Sequence, residues 1–170
     1  MKGREPVSHW IMEGAIKTIK GTPYPIAKRN AEDEVVWKNE DKGIPEVVDA
    51  TVQDIIELVI FRQPPATITR QDSIHAGRLY NQVWESGRRG KGYYEVEDAE
   101  WDWLRKKMQD DKVGPVIFGI QLTSVENCLD ALEKEGAGMK KADIESASKS
   151  RNGQVEAGAV PKPAKVSKVG

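Results

Sequence analysis

The side chains that most often perform catalysis or bind metals are scarce in this sequence. It contains two histidines, His9 and His75, and one thiol, Cys128, and no pair has the spacing of a metal site. Cys128 falls on an apolar helical stripe, which neither activates nor exposes a nucleophile, so we expect a small core residue. His75 stands near a predicted helix start, where a boundary histidine is the usual interpretation. The sequence therefore predicts no catalytic residue, no metal and no cofactor.

A cluster of carboxylates lies where a helix is predicted to begin: Glu97, Asp98, Glu100 and Asp102. General acid–base catalysis needs two carboxyl groups held at a defined separation across a cleft. These four lie along one helix start, where they compensate the helix dipole, and the later Arg105, Lys106 and Lys107 do the same at the other end. We interpret the cluster as structural, and we predict that the chain is not an enzyme and has no small-molecule ligand.

A short basic loop indicates a different chemistry, the binding of phosphate groups. Residues 87–92 read Gly-Arg-Arg-Gly-Lys-Gly and precede two tyrosines. The phosphate-loop motif is absent, because Gly92 stands where Ser or Thr would bind magnesium and because a helix, not a strand, precedes the loop. Mobile cations beside tyrosines can grip nucleic-acid phosphates and stack on bases, or contact an acidic protein. The alternative is a solvated loop that only ends a helix. The residues concerned are Arg88, Arg89, Lys91, Tyr93 and Tyr94.

Two tryptophans on different faces of one predicted helix indicate either that both faces are buried in the core or that one of them contacts a partner. Trp101 shares a stripe with Leu104 and Met108, which assigns it to the core. Trp103 lies off that stripe, close to Lys107. Tryptophan is enriched in binding hot spots, so Trp103 is a candidate partner-binding residue.

The elements that must position these residues are mostly helices. Apolar residues recur at helical spacing after Thr51 and again after Thr69, and each threonine can cap the helix that follows it. The second of these helices carries Ile74, Leu79, Tyr80, Val83 and Trp84, and a third helix is predicted over residues 97–109. Short strands are predicted over residues 35–37 and 93–96.

Weaker patterns predict a first and a last helix. Residues 7–19 show apolar positions at helical spacing with Ser8 as a cap. The last helix is predicted to open with a capping box from Thr123 to Glu126 and to stop at Gly136 and Gly138. The predicted fold is mainly α, with four to five short helices around one small core and minor β structure. The predicted domain spans residues 7–135, between a flexible N-terminal arm, residues 1–6, and a low-complexity basic tail, residues 136–170.

Charge and composition narrow the class of protein. The net charge of the whole chain is −1, yet the charge of successive segments alternates in sign. It is +4 over residues 1–30, −7 over 31–60, +4 over 61–92, −6 over 93–135 and +4 over 136–170. Patches of opposite sign can meet within one chain or between copies, although clustered solvated faces give the same pattern. No apolar run has the length of a membrane span, and no signal peptide is evident. We expect a cytoplasmic protein.

A resemblance to a known type of protein covers residues 50–135. The helix that residues 69–72 open carries Arg78 and Leu79 and leads through a short loop and strand into residues 96–101 and Leu104. This succession resembles small helical proteins that tailed bacteriophages encode among their virion or assembly components. The resemblance implies a capsid- or tail-associated protein, located in the host cytoplasm or the virion, and it assigns no functional residue.

We therefore expect a non-enzymatic structural or assembly protein that acts through contacts with a protein partner or with further copies of itself. The alternative is a small regulatory protein that binds nucleic acid through the basic loop and the tail. An enzyme without a recognisable site is the third hypothesis.

Overall fold

A computed structural model describes the backbone of residues 7–159 and the side chains of residues 7–147. Within this part of the chain the fold is mainly α with minor β structure, as the sequence predicts. The predicted N-terminal arm and residues 160–170 of the tail lie outside the described residues. In chain order the elements are β1 Ser8–Met12, β2 Pro25–Ala27, β3 Trp37–Asn39, β4 Ile44–Pro45, β5 Val47–Asp49, α1 Val52–Arg62, α2 Arg70–Arg89, β6 Tyr93–Glu97, α3 Asp98–Gln109, α4 Gly114–Phe118 and α5 Leu122–Ala159.

Helices α1 and α2 both begin with the threonine that the sequence predicts as a cap. The side chain of Thr51 accepts a hydrogen bond from the Asp54 amide, and the Asp54 carboxylate accepts one from the Thr51 amide. Thr69 and Asp72 repeat this reciprocal pair at the start of α2. Each pair satisfies two backbone donors that a helix start leaves unbonded, so the boundaries follow from local sequence alone.

The predicted helix over residues 7–19 is wrong, because this segment pairs with a distant strand. Strand β1 runs antiparallel to β6, with Ser8 opposite Glu97 and Met12 opposite Tyr93. Ile11 and Ile16 enter the core, whereas Val7 and Ile19 remain exposed. The apolar spacing fits a helix, but hydrogen bonds to residues more than 80 positions away stabilise an extended backbone instead. The predicted strand over residues 93–96 is confirmed within β6.

The core lies between the β1–β6 ladder and helices α1, α2, α3 and α5. Trp101 of α3 is fully buried, as predicted, beside Leu104 and Met108. Its indole Nε1 donates a hydrogen bond to Glu133 of α5 at 2.8 Å, so the largest core side chain also satisfies its polar atom. Cys128 packs against this core from α5 while remaining partly exposed, and its Sγ accepts a hydrogen bond from the Lys17 amide.

Residues 24–50, which we call the β-extension, form two short antiparallel ladders and one isolated antiparallel bridge that meet at one junction. The amide of Lys28 donates to the carbonyl of Glu46, Glu46 donates to Val36, and Val36 donates back to Lys28. On one side of this ring of three hydrogen bonds lies the β2–β5 ladder, and on another lies the β3–β4 ladder. On the third side the bridge between Arg29 and Val35 precedes the turn at Asn30–Glu34. Strand β3 overlaps the predicted strand over residues 35–37 only at Trp37.

Helix α5 continues past Gly136 and Gly138, so the predicted stop at these glycines is wrong. A glycine weakens a helix interior by about 1 kcal/mol and does not by itself end it. Gly136 is required for another reason: a Cβ there would lie 1.6 Å from the carbonyl oxygen of Trp10. The helix also begins at Leu122, which places Thr123 inside the first turn and not at the predicted cap position.

Candidate interaction surface

Trp103, predicted to face a partner, is buried inside the chain. Its side chain is 8% exposed, and its indole Nε1 donates a hydrogen bond to Asp72 Oδ1 of α2 at 3.0 Å. The ring also stacks on His75, with centroids 6.3 Å apart. The partner-binding assignment is therefore corrected. Helix α3 is buried on two sides because α2 covers the side that carries Trp103.

Asp72 receives several donors at once and links the two helices. Lys107 Nζ lies 2.8 Å from Asp72 Oδ2, which also accepts the Thr69 amide. Burial by itself would raise the pKa of the Asp72 carboxyl. The hydrogen bonds from Lys107, Thr69 and Trp103, together with the charge of Lys107, outweigh burial and hold that pKa well below its usual range. Asp72 is thus a buried, ionised structural group.

A second polar link lies beside the first. His75 Nδ1 and Glu100 Oε2 are 2.8 Å apart, and Gln82 Nε2 donates to Glu100 Oε1 at 3.4 Å. Glu100 is 1% exposed, so these two partners satisfy a carboxylate that has left water. The two neighbours of Glu100, His75 and Gln82, both come from α2. This arrangement ties α2 to the start of α3, and it explains why one carboxylate of the predicted dipole cluster is buried.

The basic residues predicted to form a mobile loop lie in two different settings. Arg88 and Arg89 belong to the last turn of α2, so their assignment to the loop is corrected. Arg88 pairs with Glu85 at 2.9 Å, and Arg89 lies 3.7 Å from Glu95. Lys91 is exposed between two glycines that both adopt positive φ, Gly90 and Gly92. A glycine can take this backbone conformation without strain, which is why the helix ends there.

Tyr93 stacks on Trp10 of the adjacent strand, with ring centroids 4.0 Å apart. Its ring is therefore occupied by a cross-strand contact. Trp103 contacts α2 near Asp72, and Arg88 lies sixteen residues further along that helix, a rise of about 24 Å. The structure therefore does not bring Trp103 and the residues around the basic loop together into one surface.

A different surface stands out, which we call the α2 outer face. Its residues fall within an arc of roughly 120° on the helix and are all exposed. Trp84, one of the apolar residues predicted for this helix, is 48% exposed here. The guanidinium of Arg88 lies over its ring, 5.8 Å from the centroid. The α2 outer face consists of Arg70, Ile74, Gly77, Arg78, Asn81, Trp84 and Arg88.

The charge of this face is positive and only partly compensated. Glu85 lies within the same arc and pairs with Arg88. Arg70 and Arg78 have no carboxylate within 4.0 Å among the side chains described for residues 7–147. The α2 outer face thus exposes arginine, tryptophan and isoleucine side chains. Arginine and tryptophan are enriched in protein interfaces.

Gly77 adds a second unusual feature to the α2 outer face. A Cβ at this position would meet no atom within 4 Å. At Gly14, Gly87, Gly114 and Gly136, by contrast, a neighbour lies closer than 3.0 Å to the same ideal Cβ. The fold therefore requires Gly114 and Gly136, where the neighbour is backbone. At Gly14 and Gly87 the neighbour is a side chain that can shift, and at Gly77 there is no neighbour. At this exposed position glycine costs about 1 kcal/mol relative to alanine and leaves a notch in the face.

No three His, Cys, Asp or Glu side chains converge as metal ligands among those that the structure describes. None of the helices described combines the length and apolar character needed to cross a membrane. Comparison with known proteins adds no assignment, since no family model, no curated protein and no solved structure matches the chain.

Proposed function

We propose that this chain is a non-enzymatic structural or assembly protein that acts through protein–protein contacts. The α2 outer face is the observation that carries the proposal. Its exposed Trp84, its arginines and its unfilled notch at Gly77 are surface features for which the packing of the chain supplies no reason. The resemblance of residues 50–135 to tailed-phage virion proteins supports a capsid- or tail-associated role, in the host cytoplasm or the virion.

Nucleic-acid binding through the basic loop is the alternative, and the charges around the loop weigh against it. Glu85 and Glu95 compensate Arg88 and Arg89. Both carboxylates line a cleft of about 550 Å³, together with Glu97 and Arg89, close to the end of α2. Carboxylates so near the loop repel phosphate groups, so Lys91 remains the one loop cation without a described counter-charge.

A photoreactive amino acid at position 81 tests the proposal directly. Asn81 lies in the middle of the α2 outer face, and its exposed side chain can be replaced without opening the core. We expect irradiation of the full chain in the cell of origin, followed by nuclease treatment, to yield one discrete protein adduct. The matched control carries the same amino acid at Lys106, an exposed position on α3. Equal and diffuse labelling from both positions would overturn the proposal.

The same experiment evaluates the alternative. An adduct at position 81 that nuclease removes would identify nucleic acid on this face. Binding by the loop has its own test, since changing Arg88, Arg89 and Lys91 to alanine should then flatten the salt dependence of binding by about one unit for each lost phosphate contact. A purified chain without salt-dependent affinity for any duplex or single strand excludes the alternative.

A further inference from the structure

The β-extension is the second region whose exposure the fold does not explain. Successive residues of a strand point to opposite faces, yet Trp37, Lys38 and Asn39 are all exposed, and so are all three residues of β5. Strands β3 and β5 are therefore covered on neither face, whereas Ile26 of β2 packs against the core. Two-stranded ladders with so little covered surface are only marginally stable in water. The apolar side chains left exposed are Trp37, Ile44, Val47 and Val48.

The charge of the β-extension is opposite to that of the α2 outer face. Residues 28–49 carry seven carboxylates and four cations, a net charge of −3. The α2 outer face carries Arg70, Arg78 and Arg88, and the neighbouring Glu85 in the same arc reduces the net charge to +2. Each region also exposes a tryptophan and at least one aliphatic side chain, so both charge and apolar surface favour contact between the two regions.

We propose that the β-extension of one copy docks on the α2 outer face of a second copy. Both regions are exposed in the single chain, so the contact forms between molecules. The inference rests on the proposed function and names its partner, a second copy of this chain. The notch at Gly77 lies one turn after Ile74 and two turns before Trp84, and it admits an apolar side chain or backbone of the ladder.

The two regions differ, so the contact is heterologous. A contact of this kind leaves a free β-extension at one end and a free α2 outer face at the other. Further copies then add until the arrangement closes into a ring or extends as a filament. The assembly is expected to weaken with salt, because opposite charges on the two surfaces contribute to association.

Mixing two blocked variants provides the decisive experiment. Arg78→Glu blocks the α2 outer face, and Val47→Glu blocks the β-extension at a side chain that is 59% exposed. We expect the unchanged full chain to assemble in sedimentation velocity, with weaker assembly at about 500 mM salt than at about 50 mM. Each variant alone should associate at least tenfold more weakly. An equimolar mixture should form a 1:1 complex that grows no further, because each of the two surfaces left free carries a blocking glutamate.

Controls separate a lost contact from a lost fold. Lys106→Glu and Ile120→Glu introduce the same charges at exposed positions outside both regions and should leave assembly unchanged. Ile44→Glu is a second way to block the β-extension if Val47→Glu melts at a lower temperature than the unchanged chain.

Two results would overturn the docking. The first is an unchanged chain that stays monomeric up to millimolar concentration at low salt, and the second is an assembling chain whose blocked variants do not combine. The proposed function is judged separately by the adduct at position 81. An adduct with a different protein keeps the proposed function and rejects self-docking, whereas an adduct with nucleic acid rejects both.

Discussion

The two sides of helix α2 differ in how their polar groups are satisfied. On the inner side, Asp72 and His75 bond to Trp103, Lys107 and Glu100 of α3. On the outer side, Arg70 and Arg78 have no described counter-charge, Trp84 is half exposed, and a Cβ at Gly77 would meet no atom within 4 Å. One helix therefore presents a closed polar network to its own fold and an open, positively charged surface to solvent. The contacts that stabilise the fold therefore lie on the inner side of α2, and the surface that we propose for partner binding lies on its outer side.

The largest difference in stability is expected between substitutions of two tryptophans. Trp103 of α3 packs against the inner side of α2, and Trp84 lies on its outer side. Trp103→Ala removes a buried ring and leaves the Asp72 carboxylate without one donor, so we expect a loss of about 3–5 kcal/mol in the free energy of unfolding. Trp84→Ala removes a half-exposed ring and should cost about 1 kcal/mol or less. Denaturant melts of both variants measure the difference. Similar losses from both would erase the distinction between the two sides of α2.

Asp72→Asn should cause the next largest loss of stability, and the size of this loss should depend on pH. The substitution removes the charge that pairs with Lys107, which should cost about 1.5–3 kcal/mol near neutral pH. The folded-state pKa of Asp72 lies below the unfolded value of about 3.9, so its stabilisation is fully present above that pH. It is lost as the pH falls through the folded-state pKa.

Melts of the unchanged chain and of Asp72→Asn between pH 7 and about pH 2 test this sign, because the gap between them should narrow on acidification. Asp102→Asn changes an exposed carboxylate on α3 and serves as the control. A gap that stays constant over this range would show that the Lys107 pair contributes no net stability.

Gly136→Ala tests whether the inner contacts extend to α5. The new Cβ would lie 1.6 Å from the Trp10 carbonyl oxygen, so β1 or α5 has to shift. Such overpacking typically costs about 1–3 kcal/mol, although alanine is the better helix former. A thermal midpoint that rises instead would show that helix propensity dominates at this position and that β1 adapts without cost.

The parts of the fold that the sequence predicts are those with local causes. The caps at Thr51 and Thr69 need only the aspartate three residues later, and β6 follows a glycine-rich helix end. The segment over residues 7–19 could not be predicted, because its partner strand is more than 80 positions away. The role of Gly136 is likewise not local. The Trp10 carbonyl that requires a glycine there is distant in sequence, so the sequence around Gly136 indicates only a helix stop.

The candidate residues follow the same rule. The burial of Trp103 depends on Asp72, 31 positions away, and no spacing within α3 indicates it. A signal for the α2 outer face was nevertheless present. Ile74 lies about 140° from Leu79 and about 180° from Val83 on a helical wheel, so these three residues cannot share one stripe. On a helical wheel of α2, Ile74 therefore lies with Arg70 and Arg78, opposite the core residues. The wheel thus indicates an exposed side that is rich in arginine.

Gly77→Ala should have the smallest effect on stability and the opposite sign to Gly136→Ala. No atom lies within 4 Å of the new Cβ, and alanine is favoured over glycine in a helix interior, so we expect the free energy of unfolding to rise by about 0.5–1 kcal/mol. The same methyl group fills the notch in the α2 outer face and should weaken self-association in sedimentation velocity. A variant that is more stable as a monomer and poorer in assembly assigns the glycine to recognition. A variant that gains stability and assembles as before shows that the notch is not used, and the contact would then rest on Trp84 and the arginines alone.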